Sequence, residues 1–158
     1  MPWEEAINRV KAAVEARNEG LDIVILARTD ALIISLDEAI ARAKAFRDLG
    51  ADCVAIEALP DRESMERAIR EVSGIPQFIN YVEGGKTAPY SADEFAQMGF
   101  CSIAYPITLL SAGIIAMRSA LESLKDTSKK PPLLMPFGEL CSAVGFDEYY
   151  AISERYGS

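Results

Sequence analysis

Histidine is missing from all 158 residues, and that one gap removes several kinds of chemistry at once. A Ser-His-Asp relay, a Cys-His pair and any imidazole-ligated metal are excluded. Cysteine is scarce: Cys53, Cys101 and Cys141 are too few and too far apart for a disulfide framework or a CxxC-type zinc site. Cys53 and Cys101 each open an apolar run, where a small buried thiol fits. Basic clusters are lacking as well. The net charge is −8, the sequence pI is about 4.6, and Lys129-Lys130 is the only adjacent basic pair, which argues against a nucleic-acid partner. No apolar run reaches the ~20 residues of a membrane span and no secretory leader pattern is present, so a cytoplasmic location without a membrane partner is expected.

What is there is an ordinary globular composition, 50% hydrophobic and 25% charged, arranged in a repeating grammar. A helical stripe of Trp3, Ile7, Val10 and Val14 leads into LDIVILA (Leu21 to Ala27), a nearly continuous apolar run of the kind a strand buried on both faces shows. Ser35 and Glu38 then make a capping pattern for a helix that Gly50 closes. DCVAIE (Asp52 to Glu57) reads as a second strand, and Asp61 caps a helix carrying Met65, Ala68, Ile69 and Val72. PQFIN (Pro76 to Asn80) is a third strand, followed by a glycine-containing loop and a short helix from Ser91 to Gly99. CSIAYP (Cys101 to Pro106) is the fourth, and Thr108 opens a helix with Leu110, Ile114, Met117, Leu121 and Leu124 on one face. Met65, Met98 and Met117 read as core fillers. Residues 125–132 read as a linker, and helices over Phe137 to Val144 and Asp147 to Tyr156 finish the chain.

Strands alternating with helices at this spacing imply right-handed βαβ units and a parallel sheet. At 158 residues the chain is shorter than the ~250 of a complete (β/α)8 barrel. An open, doubly wound sheet of flavodoxin type that binds a small anion is the alternative.

In either fold the working groups gather where strands end at their carboxyl side. Those positions hold Arg28, Thr29 and Asp30, then Glu57, then Asn80, then Tyr105, Pro106 and Thr108. A guanidinium, a carboxylate and a carboxamide on one rim suit a small oxygen-rich anion, with Arg28 able to grip a carboxylate through two parallel hydrogen bonds. Arg28 can equally pair with Asp30 or Glu57. The loop Glu83-Gly84-Gly85-Lys86-Thr87 is no phosphate loop, because Asn80 stands where a Walker A motif needs glycine. A mobile loop over a ligand fits it better.

The strings VILARTDAL (Val24 to Leu32), LDEAIARAKAFRDLGAD (Leu36 to Asp52), IEAL (Ile56 to Leu59), INYVEGGKT (Ile79 to Thr87) and MGFCSIAYPIT (Met98 to Thr108) occur in this order, and MPFGELCSAVGFDEYYAISERY (Met135 to Tyr156) closes the chain. This series resembles the second half of the isocitrate lyase/phosphoenolpyruvate mutase superfamily. The ARTDA and EGGKT strings favour its lyase branch. The resemblance implies four βα units from the second half of a (β/α)8 barrel over 1–124, a linker over 125–132 and a C-terminal helical arm over 133–158. It implies a magnesium-dependent carbon–carbon lyase that acts on small 2-hydroxy or 2-oxo dicarboxylates through an enolate. By motif position Arg28 looks like the family's carboxylate-holding arginine, and Glu57, Asn80, Tyr81 and Val82 like its substrate-binding partners, with Gly84, Gly85, Lys86 and Thr87 beside them. The magnesium ligands, the lid and its catalytic cysteine belong to the family's first four strands, so no metal-ligating or catalytic residue is assigned in this chain. Ser111 stands where some relatives carry a basic residue, Pro89 comes one place later than usual, and the 32–35 loop is one residue short. The expectation is an isolated chain without lyase activity that pairs with a complementary N-terminal half, or self-associates as a non-catalytic homo-oligomer, with C-terminal helices exchanged between subunits as the family does.

Overall fold

In the computed structural model, which describes residues 1–126, 128 and 134–157, all four strand–helix units form. The elements run α1 (Trp3–Asn18), β1 (Leu26–Thr29), a 3-10 turn (Ala31–Ile33), α2 (Leu36–Asp48), β2 (Cys53–Ile56), α3 (Arg62–Glu71) and β3 (Gln77–Asn80). They continue as α4 (Ala92–Met98), β4 (Ser102–Ala104), α5 (Thr108–Lys125), α6 (Phe137–Ala143) and α7 (Phe146–Tyr156). Local capping chemistry fixes where three of the helices begin. Ser35 Oγ accepts from the Glu38 N–H at 3.0 Å, Asp61 Oδ1 from the Ser64 N–H at 2.7 Å, and Ser91 with Glu94 completes a reciprocal capping box.

The four strands are parallel and stand in the order β1-β2-β3-β4. A doubly wound sheet reverses its order at a switch point. This one does not, which removes the flavodoxin-type alternative and leaves the progression of a barrel segment. The register pairs Arg28 with Ala55, Ala55 with Phe78 and Asn80 with Ala104. Side chains therefore sort by parity. Ala27, Thr29, Val54, Ile56, Gln77 and Ile79 are buried, all on one face, in the core built by Ile40, Ala43 and Phe46 of α2, Met65 and Ala68 of α3, and Phe95 of α4. Leu26, Arg28, Ala55, Glu57, Phe78, Asn80 and Ser102 share the other face.

Two buried features tie the layers together. Gln77 Nε2 donates to the carbonyls of Ala68, Ile69 and Val72 at 3.2, 3.3 and 3.2 Å, so a strand side chain caps the carboxyl end of α3. Phe95, fully buried, anchors an aromatic cluster with Tyr81, Tyr90 and Phe100 at ring separations of 5.9, 5.8 and 6.0 Å.

The first strand departs most from expectation. It occupies Leu26–Thr29 rather than residues 21–27, and Leu21, Ile23 and Val24 are exposed, Val24 by 79%. The cause is register: Leu26 stands opposite Cys53, the first residue of β2, so residues 21–24 have no strand beside them on that side. On the other side β1 is an edge. The run is strand-like in composition but lacks the neighbours that would bury it. Cys101 is likewise exposed rather than buried, and Cys53 only half-buried.

The chain divides into two units, 1–109 and 110–158. Within the second, α6 and α7 are joined through Gly145, whose φ of 88° is readily adopted by glycine, and Tyr150 stacks on Phe146 at 5.9 Å. The expected apolar face of α5 is solvent-facing: Leu110, Leu121, Leu124 and Met117 are all exposed, so Met117 is not a core filler. The Lys129-Lys130 pair and most of the expected linker lie outside the described residues.

Candidate functional site

Arg28 of β1, Asn80 of β3 and Glu57, directly after β2, meet at one atom. Asn80 Nδ2 donates to Glu57 Oε2 at 3.0 Å, and Arg28 Nη1 lies 3.4 Å from the same oxygen. Parity explains the convergence, since all three point away from the helices at the carboxyl end of the sheet. Arg28 and Thr29 belong to β1 itself rather than to the loop after it. Their alternation splits the ARTDA string between two tasks. Thr29 turns into the helix layer, where its buried hydroxyl accepts from the Ala31 N–H at 3.2 Å and fixes the 3-10 turn. Arg28 turns toward the open face.

The guanidinium is already engaged. Arg28 Nε and Nη2 donate to Asp30 Oδ1 and Oδ2 at 2.7 and 3.0 Å, a fork-on-fork pair. These hydrogen bonds hold the Asp30 carboxyl below the usual carboxylate range and raise the Arg28 pKa. Both side chains are about half exposed, so solvent screens the pair. Both of Arg28's expected carboxylate partners are thus present together. A ligand carboxylate must share or replace them.

The segment after β3 is tied rather than draped. Thr87, buried, donates its hydroxyl to the Asn80 carbonyl at 3.1 Å. The Gly85 N–H donates to the Val82 carbonyl at 2.8 Å, closing a tight turn, and the Thr108 hydroxyl donates to Glu83 Oε1 at 2.5 Å. Glycine is required twice in this turn. Gly84 has a φ of +73°, and a Cβ on Gly85 would lie 2.9 Å from the Val82 carbonyl oxygen. Tyr81, directly after Asn80, places its ring against Phe95 and Tyr105, at 5.9 and 5.7 Å. Lys86 lines a cleft of about 620 Å3 together with Asp30, Glu57, Leu32, Ala58 and Pro60. Ala58 holds a φ of 64°, a left-handed conformation that costs a non-glycine residue roughly 1 kcal/mol, directly after Glu57.

Burial, reinforced by the neighbouring Cys101 thiol, pushes Cys53 up to about 11, so it stays protonated at neutral pH. Magnesium, implied by the family resemblance, would need a cluster of oxygen donors. Among the described residues no group of three or more Asp, Glu, Cys or His side chains is placed to hold a metal ion. Asp30 and Glu57, the nearest acids, are both committed to Arg28. The described residues do not make a metal site.

Sequence reasoning located the trio and both acids that pair with Arg28, but not the contacts that fix the loop after β3. Glu83 and Thr108 are 25 residues apart and carry no local signal of their pairing. The strained Ala58 is equally silent in sequence. The Gly84-Gly85 pair was the one visible sign of the turn.

A parallel sheet in sequential order, helices on one face, a carboxylate-and-guanidinium rim on the other: these define a segment of a (β/α)8 barrel with its polar groups at the carboxyl ends of the strands. The family model for phosphoenolpyruvate phosphomutase matches residues 1–125, and the chain belongs to that isocitrate lyase/phosphoenolpyruvate mutase group. It is 34% identical over 158 residues to 2-methylisocitrate lyase of Bacillus subtilis (strain 168), covering 98% of this chain and 51% of that protein. A solved 2,3-dimethylmalate lyase superposes with a TM-score of 0.92 at 36% identity, covering all of this chain and 54% of the other. Oxaloacetate acetylhydrolase, solved in complex with the product oxalate, gives 0.92 at 28% identity over all of this chain and 56% of the other. The chain therefore spans about half the length of the relatives it matches.

Proposed function

We propose that this chain is the carboxylate-recognising half of a carbon–carbon lyase that acts on 2-hydroxy or 2-oxo dicarboxylates, and that it turns over no substrate until a complementary half closes the sheet. The observation that carries the reading is the meeting of Arg28, Glu57 and Asn80 at the carboxyl end of three neighbouring strands. In the proposed role Arg28 binds and orients a substrate carboxylate. Asn80 donates to a hydroxyl or carbonyl oxygen of the same molecule, and Glu57 accepts from a hydroxyl. Charge stabilisation at the breaking bond is assigned to the complementary half, since no group of three or more acids among the described residues is placed to hold a metal ion.

The open edges support the need for a second half. β1 and β4 terminate the sheet, each with one unpaired side, and exposed apolar residues stand beside both. Val24 and Ile34 flank β1, and Ile107 and Leu109 follow β4. Unpaired edges with apolar flanks recruit further strands. The test compares the pure chain with the chain fused to the first half of a 2,3-dimethylmalate lyase, following oxaloacetate and 2,3-dimethylmalate by NMR with magnesium present. No turnover by the chain alone and measurable turnover by the fusion, lost in Arg28→Ala, is expected. Turnover by the pure chain would overturn the proposal.

A second reading rests on the tail. Phe137, Leu140, Val144, Tyr149 and Tyr156 are exposed along α6 and α7, as is the apolar face of α5. Such a surface fits a homo-oligomer built through the C-terminal helices. Light scattering separates the two, since a strict monomer is incompatible with the oligomer.

A further inference from the structure

Three charged side chains, Asp30, Glu57 and Lys86, line the cleft, Arg28 pairs with both of the acids, and the pairing is uneven. Arg28 serves two carboxylates: its Nε/Nη2 fork is filled by Asp30, and its Nη1 leans on Glu57. Lys86, which lines the same cleft, makes no ion pair or hydrogen bond among the described residues. Its backbone is fixed on both sides, by the Gly85 turn and by the buried Thr87, while its side chain is uncommitted. One cation is over-subscribed and the other is free. Asp30 and Arg28 are both about half exposed, so the pair opens without desolvating either group far.

We propose that Asp30 is a place-holder: its carboxylate fills the Arg28 fork in the ligand-free protein and, when a small dicarboxylate binds, yields the fork to the ligand and moves to Lys86. The exchange keeps every charge matched. The ligand carboxylate copies the geometry that Asp30 had, and Asp30 finds an ammonium in the cleft it already lines. Asp30 and Lys86 are thus positioning residues that set affinity without holding the ligand themselves. This rests on the reading of the cleft as the substrate site.

The experiment is a double-mutant cycle on the 158-residue chain, with malonate titrated by NMR and the Arg28 and Asn80 side-chain signals followed. Asp30→Asn removes the competitor and is expected to tighten malonate binding about fivefold. Lys86→Met is expected to weaken it about threefold in the wild-type background and to leave it within about 1.5-fold in the Asp30→Asn background. Lys86→Arg restores wild-type affinity. Weaker binding in Asp30→Asn shows that Asp30 only orients Arg28 and overturns the inference. A Lys86→Met loss that persists without Asp30 means the lysine touches the ligand, and overturns it too. Malonate that shifts neither Arg28 nor Asn80 in any variant overturns the reading of the site itself.

Discussion

Replacing Gln77 with leucine tests how the sheet and the helix layer are joined. The side chain is 5% exposed and its amide carries two hydrogens shared among three carbonyls at the end of α3. Ala68 O also accepts from the Val72 N–H at 2.9 Å and keeps a partner, so the loss falls on Ile69 and Val72. A buried acceptor stripped of its donor costs about 1–3 kcal/mol, and the extra apolar surface of leucine offsets part of that. The net expectation is about 2 kcal/mol of lost stability, a fall in Tm of roughly 6–10 °C for a unit of this size. Urea denaturation followed by circular dichroism reads it directly, with an unchanged m-value as the sign that only the folded state moved. A midpoint within error of wild type would refute the claim that this amide caps α3. Gln77→Glu sharpens the test through pH. A carboxylate facing carbonyls is disfavoured, so its folded pKa rises above the unfolded value. Its stability is then greatest below the unfolded pKa and is lost as pH climbs through the folded one. Gln77→Glu should therefore be closer to wild type at pH 4 than at pH 7, and the opposite trend would reject the argument.

Phe95→Ala removes the hub of the aromatic cluster and is expected to cost about 3–5 kcal/mol, measured by the same denaturation. Gly85→Ala drives a methyl to 2.9 Å from the Val82 carbonyl and should displace the turn, seen as altered NMR shifts at Lys86 and Thr87 with the core signals unmoved. Wild-type stability should hold from neutral pH down to about pH 5 and then fall. Asp30 is held low by Arg28, Asp61 and Glu94 by backbone N–H donors, and Glu71 by Arg67, so each contributes above its unfolded pKa and loses that contribution as pH drops through the folded one. A urea midpoint that rises between pH 5 and pH 3 would contradict this assignment.

The helix boundaries were the most legible part of the sequence, because capping residues act within four positions of themselves. Ser35, Asp61 and Ser91 marked their helices to the residue. Strand limits were less so. LDIVILA has the composition of a buried strand, yet a strand exists only where a partner runs beside it, and the register with Cys53 begins at Leu26. Convergence of Arg28, Glu57 and Asn80 was readable because strand-end position and parity are both local properties. The pairing of Arg28 with Asp30 was readable from their adjacency, whereas the Thr87 tie to Asn80 and the Thr108 contact to Glu83 depend on how loops fold back, and nothing in their spacing announces that. The apolar face of α5 was legible as a face but not as an exposed one, since periodicity reports a stripe and says nothing of what covers it.

The glycines that end α2, α3 and α4 carry one more consequence. Gly50, Gly74 and Gly99 have φ values of 98°, 86° and 112°, and each lies where a helix hands over to the next strand, at the far end of the sheet from Arg28 and Asn80. Sequence changes at these hand-over turns alter how firmly the layers are wound without reaching the rim, whereas changes at Arg28, Asp30, Glu57 and Asn80 alter the rim. Fold stability and rim chemistry therefore occupy separate addresses along the chain, so a variant library can vary one while the other is held constant, and new termini for circular permutation belong at the Gly74 turn, where an added Cβ would meet nothing within 4 Å.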